Sequence, residues 1–457
     1  VGGTFTDLVA VSDDGLVVLK VPSVPAAPEL AVIEALELAG ASGAPLIHGS
    51  TVATNAVLER KGARTTFVTT RGFGDMLEIG RQERARLYDL RVEKHVPLVG
   101  RAMCFEAKER LAPGGQVLER LTRSEARRIA RECAARGAES AAVCLLYSFE
   151  DPSHEHLLRE ELERLGINTS VSSFVLPEYR EYERASTTTM NAFVSPVMDG
   201  YLSRLEQALG GSSRVRLMHS AGGTTSTGMA RRRAVDLVLG GPAGGVVAAR
   251  WLAGSLGLGD VISFDMGGTS TDVSLITGEL MSVTRGTSIA GLPVALPMVD
   301  INTIGSGGGS IAYRDRAGVL RVGPESAGAV PGPACYGNSE LATVTDANVA
   351  LGRLEPSWFL GGKMPLHPKR SLAAFERLGG DDGALATAAA ALDIALSQME
   401  AAVKQVSVER GHDPGETTLV AFGGAGPMHA CELAERLDIP RVLVPVFPGL
   451  FSSIGML

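Results

Sequence analysis

A chain of 457 residues, 45% hydrophobic and 21% charged with 55 glycines, is composed like a folded protein large enough for more than one core, and disorder is excluded. Its net charge of -8 excludes the broad basic footprint that nucleic acid demands, and no run of about twenty uncharged apolar residues exists to cross a membrane. Five cysteines, odd in number and never spaced C-x-x-C, read as reduced thiols of a cytoplasmic protein.

Val1 falls within a strand running into a glycine turn, "VGGTFTD", with no initiator Met, so the natural chain is expected to begin earlier. "APELAVIEALELAG" predicts a helix with Pro28 near its start and Gly40 past its end. "RTTFVTT" (64–70) and "AAVCLLYSF" (141–149) predict strands, the second covered on both faces. Between them Thr122 and Glu125 offer a capping box for a helix that Gly137 ends. His154 and His156 lack metal-ligand spacing and are expected on the surface. The composition changes near 180–200, where a boundary between halves is expected, and Arg231–Arg233 read as a solvated turn or helix face. "VRLMHSAGG", "VISFDMGG", "TTLVAFGGAG" and "RVLVPVF" are apolar runs delivered into glycine or proline. The glycine- and proline-rich 322–337 predicts a long surface loop, and "ALATAAAALDIALSQMEAAV" an amphipathic soluble helix. Strands alternating with helices make the fold class α/β, and no tandem repeat of solenoid type is present.

One phrase does recur. Val1-Gly2-Gly3-Thr4-Phe5-Thr6-Asp7 and Met266-Gly267-Gly268-Thr269-Ser270-Thr271-Asp272 agree at both glycines, both threonines and the aspartate, predicting a strand, a tight turn and a returning strand in each half. Such glycines let backbone N–H groups approach an anion, threonine hydroxyls add donors, and an aspartate can hold the magnesium that accompanies polyphosphate. Two such hairpins across a cleft would clamp a nucleotide. A third cluster, Gly423-Gly424-Ala425-Gly426-Pro427, lies between a predicted strand and helix, where adenosine could rest on backbone; neither G-x-G-x-x-G nor a P-loop is present. A fourth, "LGGPAGGVVAAR" (239–250), predicts a helix whose small residues admit close packing, with a hinge as its functional reading.

The order of these elements resembles the actin, sugar-kinase and heat-shock-chaperone ATPases. Within that class the whole chain resembles the ATP-binding subunit of the hydantoinase A / 5-oxoprolinase family. The resemblance is carried by "HGSTVATNAVLERKGARTTFVTTRGFGDMLEIGRQ", "EYERASTTTMNAFVSPVM", "GGPAGGVVAA", "FDMGGTSTD", "IGSGGGSIA", "GPESAGAVPGPACYG", "TVTDAN", "VERGHDP" and "AFGGAGPMHA". It implies a two-lobed α/β actin-like fold with a central ATP cleft, lobes at 1–185 and 186–457, and a further C-terminal domain that this chain lacks. It implies ATP and Mg2+ as cofactors. Gly2, Gly3, Thr4, Thr6, Gly267, Gly268, Thr269 and Thr271 would contact phosphates, and Gly423, Gly424 and Gly426 would line the adenosine pocket. Asp7, Asp265 and Asp272 would surround the metal as the catalytic acids, while the aspartate that normally precedes the first glycines lies before Val1. The implied activity is hydrolysis of a cyclic amide, of hydantoin or 5-oxoproline type, through phosphorylation of its carbonyl oxygen. A ketone carboxylase subunit of acetone or acetophenone type is the alternative, and a nucleotide-gated actin-like scaffold or chaperone is one from another class. The resemblance further implies a lactam, imide or ketone substrate and a B-type partner subunit in a cytoplasmic hetero-oligomer, with no nucleic acid or membrane partner. Polar residues in the family-like phrases, His48, Asn55, Arg81, Glu183, Arg184, Asp346 and Asn348, are candidate substrate contacts. The Gly305–Ser310 loop could admit substrate or phosphate or only bend, and Cys335 is expected to be structural.

Overall fold

A computed structural model describes residues 1–2, 5–13, 15–24, 26–83, 96–211, 214–278, 280–379 and 383–457. The chain forms two compact units built from non-contiguous segments. Unit 1 comprises Val1–Thr6, Leu19–Gly241 and Val283–Met298, and unit 2 comprises Asp7–Val18, Pro242–Ser282 and Val299–Leu457.

The core of unit 1 is a parallel four-stranded sheet in the order Cys104–Ala107, Thr65–Thr70, Ser140–Cys144, Asn168–Val171, with Val68 opposite Val143 and Ala142 opposite Ser170. Both central strands are buried along their whole length, as continuous apolar runs require of a sheet covered on two faces. Helices Arg123–Ala135 and Ser153–Glu163 cover one face through Ile129, Leu158 and Leu162; Ala185 and Ala192 of the 28-residue helix Glu181–Ala208 pack on the other.

That long helix occupies the stretch where composition shifts. Its buried "STTTMNAFVS" is polar, and much of that polarity is satisfied within the helix: hydroxyls of Thr187, Thr188 and Ser195 donate to carbonyls four residues back at 2.7, 2.8 and 2.7 Å, while the buried Thr189 hydroxyl has no partner among the described residues. Helix Pro28–Leu38 ends as expected: Gly40 has φ +66°, and Ala41 N–H returns to Leu36 O at 2.9 Å.

Four expectations are corrected. The strand predicted over 141–149 stops at Cys144, because the next two amides are taken by side chains, Leu145 N–H by Glu155 Oε1 at 3.0 Å and Leu146 N–H by Thr70 Oγ1 at 3.1 Å. The capping box is half made: Thr122 accepts from Glu125 N–H, but the Glu125 carboxylate turns to Lys108 N–H and Arg128. His154 is buried rather than on the surface. Its Nε2 accepts from Leu121 N–H at 3.2 Å, so Nδ1 carries the proton and donates to Glu109 at 2.8 Å. Arg231 and Arg233 are tied down rather than merely solvated, the first to Asp199 and Glu206, the second to Asp236, while Arg232 lies 4.2 Å over the Phe174 ring.

Unit 2 is built on a mixed sheet in the order Leu280–Met281, Thr271–Thr277, Val261–Met266, Thr418–Phe422, Arg441–Leu443, with Asn302–Ile304 added beside Thr271–Val273. Val261–Met266 is antiparallel to its hairpin partner and parallel to Thr418–Phe422. Helix Gly383–Val406 packs Ala391, Leu392, Ala395 and Met399 with Phe264 and Met266 of the sheet. From the other cluster, Ala243, Val246 and Ala249 of helix Gly240–Ser255 meet Phe422 and Phe451. The small residues of that helix are needed: a Cβ at Gly244 would stand 2.6 Å from Ser452 O, and one at Gly245 2.6 Å from the Phe422 ring.

Here too the surface loop predicted over 322–337 is corrected. Its start continues the strand Leu320–Ser326, and its end is buried at Ala334 and Cys335, whose amides donate to Asp346; exposure is concentrated at Pro324–Glu325 and Gly328–Pro331. Among the described residues no helix is long and apolar enough to cross a membrane, and the five cysteines are unpaired, four of them buried.

Candidate functional site

The second copy of the repeated phrase forms the predicted hairpin. Strands Val261–Met266 and Thr271–Thr277 are joined by Gly267–Ser270, Gly267 N–H closes on Ser270 O at 3.0 Å, and Gly268 and Thr269 are exposed at the tip. In this register Asp265 stands directly opposite Asp272, so the two carboxylates share one face of the hairpin at the foot of the turn. Thr303, opposite Asp272 on the next strand, donates to its Oδ1 at 2.5 Å, and Ser452 Oγ donates to Asp265 Oδ2 at 3.0 Å.

Both acids are held above the usual carboxylate range. Burial pushes Asp265 up to about 7, with the Asp272 charge and then Asp7 adding to the shift against the bond from Ser452. Burial raises Asp272 to about 6, opposed by Thr303. Some surface of each stays open to solvent, so the protein surrounds the pair without sealing it. Two neighbouring carboxylates, each with lone pairs to spare, are a hard-oxygen donor set of the kind magnesium takes while keeping several waters. Among the described residues no group of three His, Cys, Asp or Glu side chains is arranged to hold a metal. The pair therefore fits a hydrated magnesium ion.

Gly305–Ser310 lies against the back of this turn. Gly308 N–H donates to Gly267 O at 3.0 Å and Gly309 N–H to Gly268 O at 2.6 Å. The fully buried Thr271 gives its hydroxyl to Ser306 O at 2.5 Å. A Cβ at Gly307 would stand 2.6 Å from the Thr269 carbonyl carbon, and one at Gly309 2.9 Å from Gly268 O, so these glycines are required by close backbone contact. Gly308 O in turn accepts both Thr345 N–H, at 2.7 Å, and Thr345 Oγ1, at 2.8 Å.

The third glycine cluster follows strand Thr418–Phe422 and opens helix Gly426–Arg436. Gly423 has φ +82°, and a side chain there would collide with Asp265 Oδ1 and Met266 O. Ala425 N–H ties the turn to Met266 O at 2.9 Å. Gly426 is buried with a Cβ position 3.3 Å from Phe264 O, whereas Gly424 is exposed with no atom within 4 Å of that position. Packing thus accounts for Gly423 and Gly426, and Gly424 presents bare backbone.

In the first copy, Gly2 N–H closes on Phe5 O at 3.0 Å. Ser23 Oγ donates to Gly2 O at 2.8 Å and shares a 3.0 Å hydrogen bond with the buried Thr6 hydroxyl. Gly3 and Thr4 lie outside the described residues. Asp7 belongs to unit 2, the unit that holds Asp265 and Asp272.

The other candidates divide. Arg81 and Glu183, 102 residues apart, form a forked ion pair at 2.8 and 2.5 Å. His48 is buried with Nε2 2.6 Å from Tyr201 Oη, and burial lowers its pKa to about 3. Asn55 Nδ2 donates to Thr51 Oγ1 at 3.3 Å, and Arg184, fully buried, donates to Leu145 O at 2.5 Å. Asp346 caps its own helix, Val344–Ala350, and accepts from Ala334 N–H, Cys335 N–H and Ser371 Oγ. Asn348 Nδ2 donates to Val344 O at 3.0 Å. Burial drives the Cys335 thiol well above its ordinary pKa, in keeping with a structural role. Ser452, Thr303 and Thr345 contact the site directly and were not read from the sequence, whereas Ser306 lies in the Gly305–Ser310 loop whose run of three glycines was the available signal.

An α/β scaffold carrying a strand–glycine–strand hairpin at Val261–Thr277 and a strand–glycine–helix turn at Thr418–Arg436 belongs to the actin-like ATPase class. Two family descriptions match, "hydantoinase/oxoprolinase N-terminal region" over residues 1–166 and "hydantoinase/oxoprolinase" over residues 184–457. Caprolactamase subunit alpha of Pseudomonas jessenii is 34% identical, the alignment spanning 100% of this chain and 69% of that protein. The acetophenone carboxylase gamma subunit of Aromatoleum aromaticum is 34% identical over 99% of this chain and 67% of its own length. The crystal structure of the ATP-dependent caprolactamase from Pseudomonas jessenii superposes with a TM-score of 0.87 at 32% identity, over 100% of this chain and 69% of that one. The chain belongs to the hydantoinase/oxoprolinase family.

Proposed function

We propose that this chain is the ATP-binding part of an enzyme that opens a cyclic amide. The observation that carries the reading is the cross-strand pair Asp265 and Asp272 at the foot of an exposed glycine turn, adjoined by Gly423 and the bare backbone of Gly424. Asp265 and Asp272, with Asp7, would hold hydrated Mg2+; the amides of Gly268 and Thr269 would meet phosphate oxygens, and Gly424 the nucleoside. Their work is positioning and charge neutralisation, which is most of what phosphoryl transfer asks of a protein. Phosphorylation of the amide oxygen by ATP, with release of ADP, would make the carbon electrophilic; one water would add to it, the C–N bond would break as the nitrogen takes up a proton, and the acyl phosphate left would be hydrolysed by a second water to the amino acid and phosphate. Among the substrate candidates the forked pair Arg81–Glu183 and Asn55 keep some exposure, and the charged pair would orient the amide. The relatives named as subunits support a hetero-oligomer with a B-type partner, and magnesium as the cation follows from the donor set.

The test is phosphate release by the complete protein with its partner subunit, given Mg-ATP and caprolactam, 5-oxoproline, a hydantoin or a ketone. Lactam-dependent release without bicarbonate is the expected result. Release that needs both a ketone and bicarbonate would establish the second reading, a carboxylase, which the similarity to the acetophenone carboxylase subunit favours. Failure to bind ATP would sink both.

A further inference from the structure

We propose that Gly307–Gly309, locked by Thr345, is a positioning element that aims the amide N–H groups of Gly268 and Thr269 at a phosphate of a nucleoside polyphosphate. This rests on the nucleotide reading above and assigns the residues that shape its phosphate turn. In a trans peptide the C=O of one residue and the N–H of the next point in opposite directions from the same rigid plane. Gly267 O is drawn back onto Gly308 N–H at 3.0 Å, so the N–H in that plane, that of Gly268, is turned to the opposite side. Gly268 O is drawn onto Gly309 N–H at 2.6 Å, which turns the N–H of Thr269 likewise. Two successive amides are thereby aimed away from the protein at an exposed tip, the arrangement by which backbone nests hold anions.

The two carbonyls would not hold this aim against a mobile partner. Gly307–Gly309 is made rigid from behind: Gly307 N–H donates to Ser310 Oγ at 2.8 Å, and Gly308 O takes both donors of Thr345. Thr345 is itself fixed at the start of helix Val344–Ala350, where Thr343 and Asp346 form a reciprocal capping box and Asp346 is further gripped by Ala334, Cys335 and Ser371. Gly308 cannot back away and keep both bonds. A Cβ on Gly308 would stand 2.9 Å from Thr345 Oγ1, so the contact leaves no slack.

The test uses Thr345→Val, which keeps the shape and the Thr345 N–H but removes the hydroxyl, with Thr345→Ser as its rescue. Affinities for ADP and for adenosine are measured by calorimetry, and amide exchange of the 305–310 segment by mass spectrometry. In Thr345→Val, exchange at Gly308 and Gly309 is expected to speed up several-fold and ADP to bind about fivefold more weakly, the size of one net hydrogen bond, with adenosine unaffected and Thr345→Ser close to wild type. Equal losses for ADP and adenosine, no loss for ADP, or a serine variant as weak as the valine one would overturn the positioning role. Wild-type protein that binds no ADP would instead overturn the nucleotide reading. Unchanged exchange in Thr345→Val would still count against the lock in that case.

Discussion

In both copies of the glycine-threonine-aspartate phrase the amide of the first glycine closes on a carbonyl three residues on, Gly2 N–H on Phe5 O and Gly267 N–H on Ser270 O, each at 3.0 Å. In each copy the second threonine turns inward, buried, but the bonds it makes differ. Thr6 shares its hydroxyl with the side chain of Ser23, which reaches back to Gly2 O. Thr271 instead donates to a main-chain carbonyl, Ser306 O, in a loop whose next amides grip the turn itself. At the second copy the aspartate, Asp272, faces another carboxylate, Asp265, across its own hairpin, and burial pushes it up to about 6. The turn is thus a local property of the phrase, and the chemistry at its foot comes from what the rest of the fold brings there.

The largest expected effect separates the aspartates. Asp265→Asn keeps the bond from Ser452 but removes one of the three carboxylates that would hold magnesium, and ATP turnover should fall by about 10²–10³-fold, as for loss of a principal electrostatic contact to the reacting phosphate. Asp7→Asn, whose charge acts on Asp265 less than that of Asp272 does, should lower turnover less. Steady-state kinetics with magnesium varied would check the ranking, and equal losses would mean that the two hairpins share the cation evenly.

Next comes Gly307→Ala. Its Cβ would press on the backbone of Gly268 and Thr269 at 2.6–2.7 Å with no flexible side chain to yield, so a cost of about 1–3 kcal/mol and a lowered Tm are expected. Gly424→Ala, with nothing within 4 Å, should leave Tm unchanged and weaken nucleotide binding alone. Thermal melts and calorimetry of the two variants, side by side, would separate glycines needed by packing from a glycine needed by ligand.

A smaller effect is a pH slope. Asp265 and Asp272 titrate higher folded than unfolded, so between about pH 4 and pH 7 the native state binds more protons than the unfolded chain, and stability falls as pH rises through that window. The loss should level off above about pH 7, once both carboxylates are ionised in either state. Added Mg2+ should flatten the slope by pairing with the ionised native acids, and Asp265→Asn should remove most of it. Melting temperatures over this pH range would show a rising trend instead if the pair were stabilised by hidden cationic partners.

How much of this was legible follows from the range of each contact. Apolar strands delivered into glycine announced the second hairpin and the Gly423–Gly426 turn, because strand, turn and return are consecutive. Ser452 was not legible, since it reaches Asp265 across 187 positions, nor was Thr345, whose partner Gly308 lies 37 positions away. His154 was misplaced on the surface for the same reason: its partner Glu109 is 45 residues earlier and nothing in the local spacing points to it. Three glycines in a row at 307–309 did carry information, as a place where two backbones meet, but a bend or a ligand loop has the same spelling. The phrases that named the family led to the right neighbourhoods, and within them Asp346 and Arg184 turned out to be bonded to main-chain groups of their own unit.

The smallest expected effect tests the opening comparison itself. Thr6→Val and Thr271→Val each remove one inward hydroxyl and keep the β-branched shape, so each should cost on the order of 1 kcal/mol in stability. The consequences should then diverge. Ser23 can still satisfy its hydroxyl on Gly2 O after the first change, which leaves that turn closed. The second change leaves Ser306 O without that donor, in the loop whose next amides orient the phosphate turn, so Thr271→Val should also weaken ADP binding, by about the same fivefold as Thr345→Val. Equal stability losses with an ADP effect for Thr271→Val only would mean that the backbone behind the second turn, rather than the repeated phrase, sets its grip. Equal ADP effects would mean that both turns depend on their threonines in the same way, and that the different supports behind them carry no functional difference.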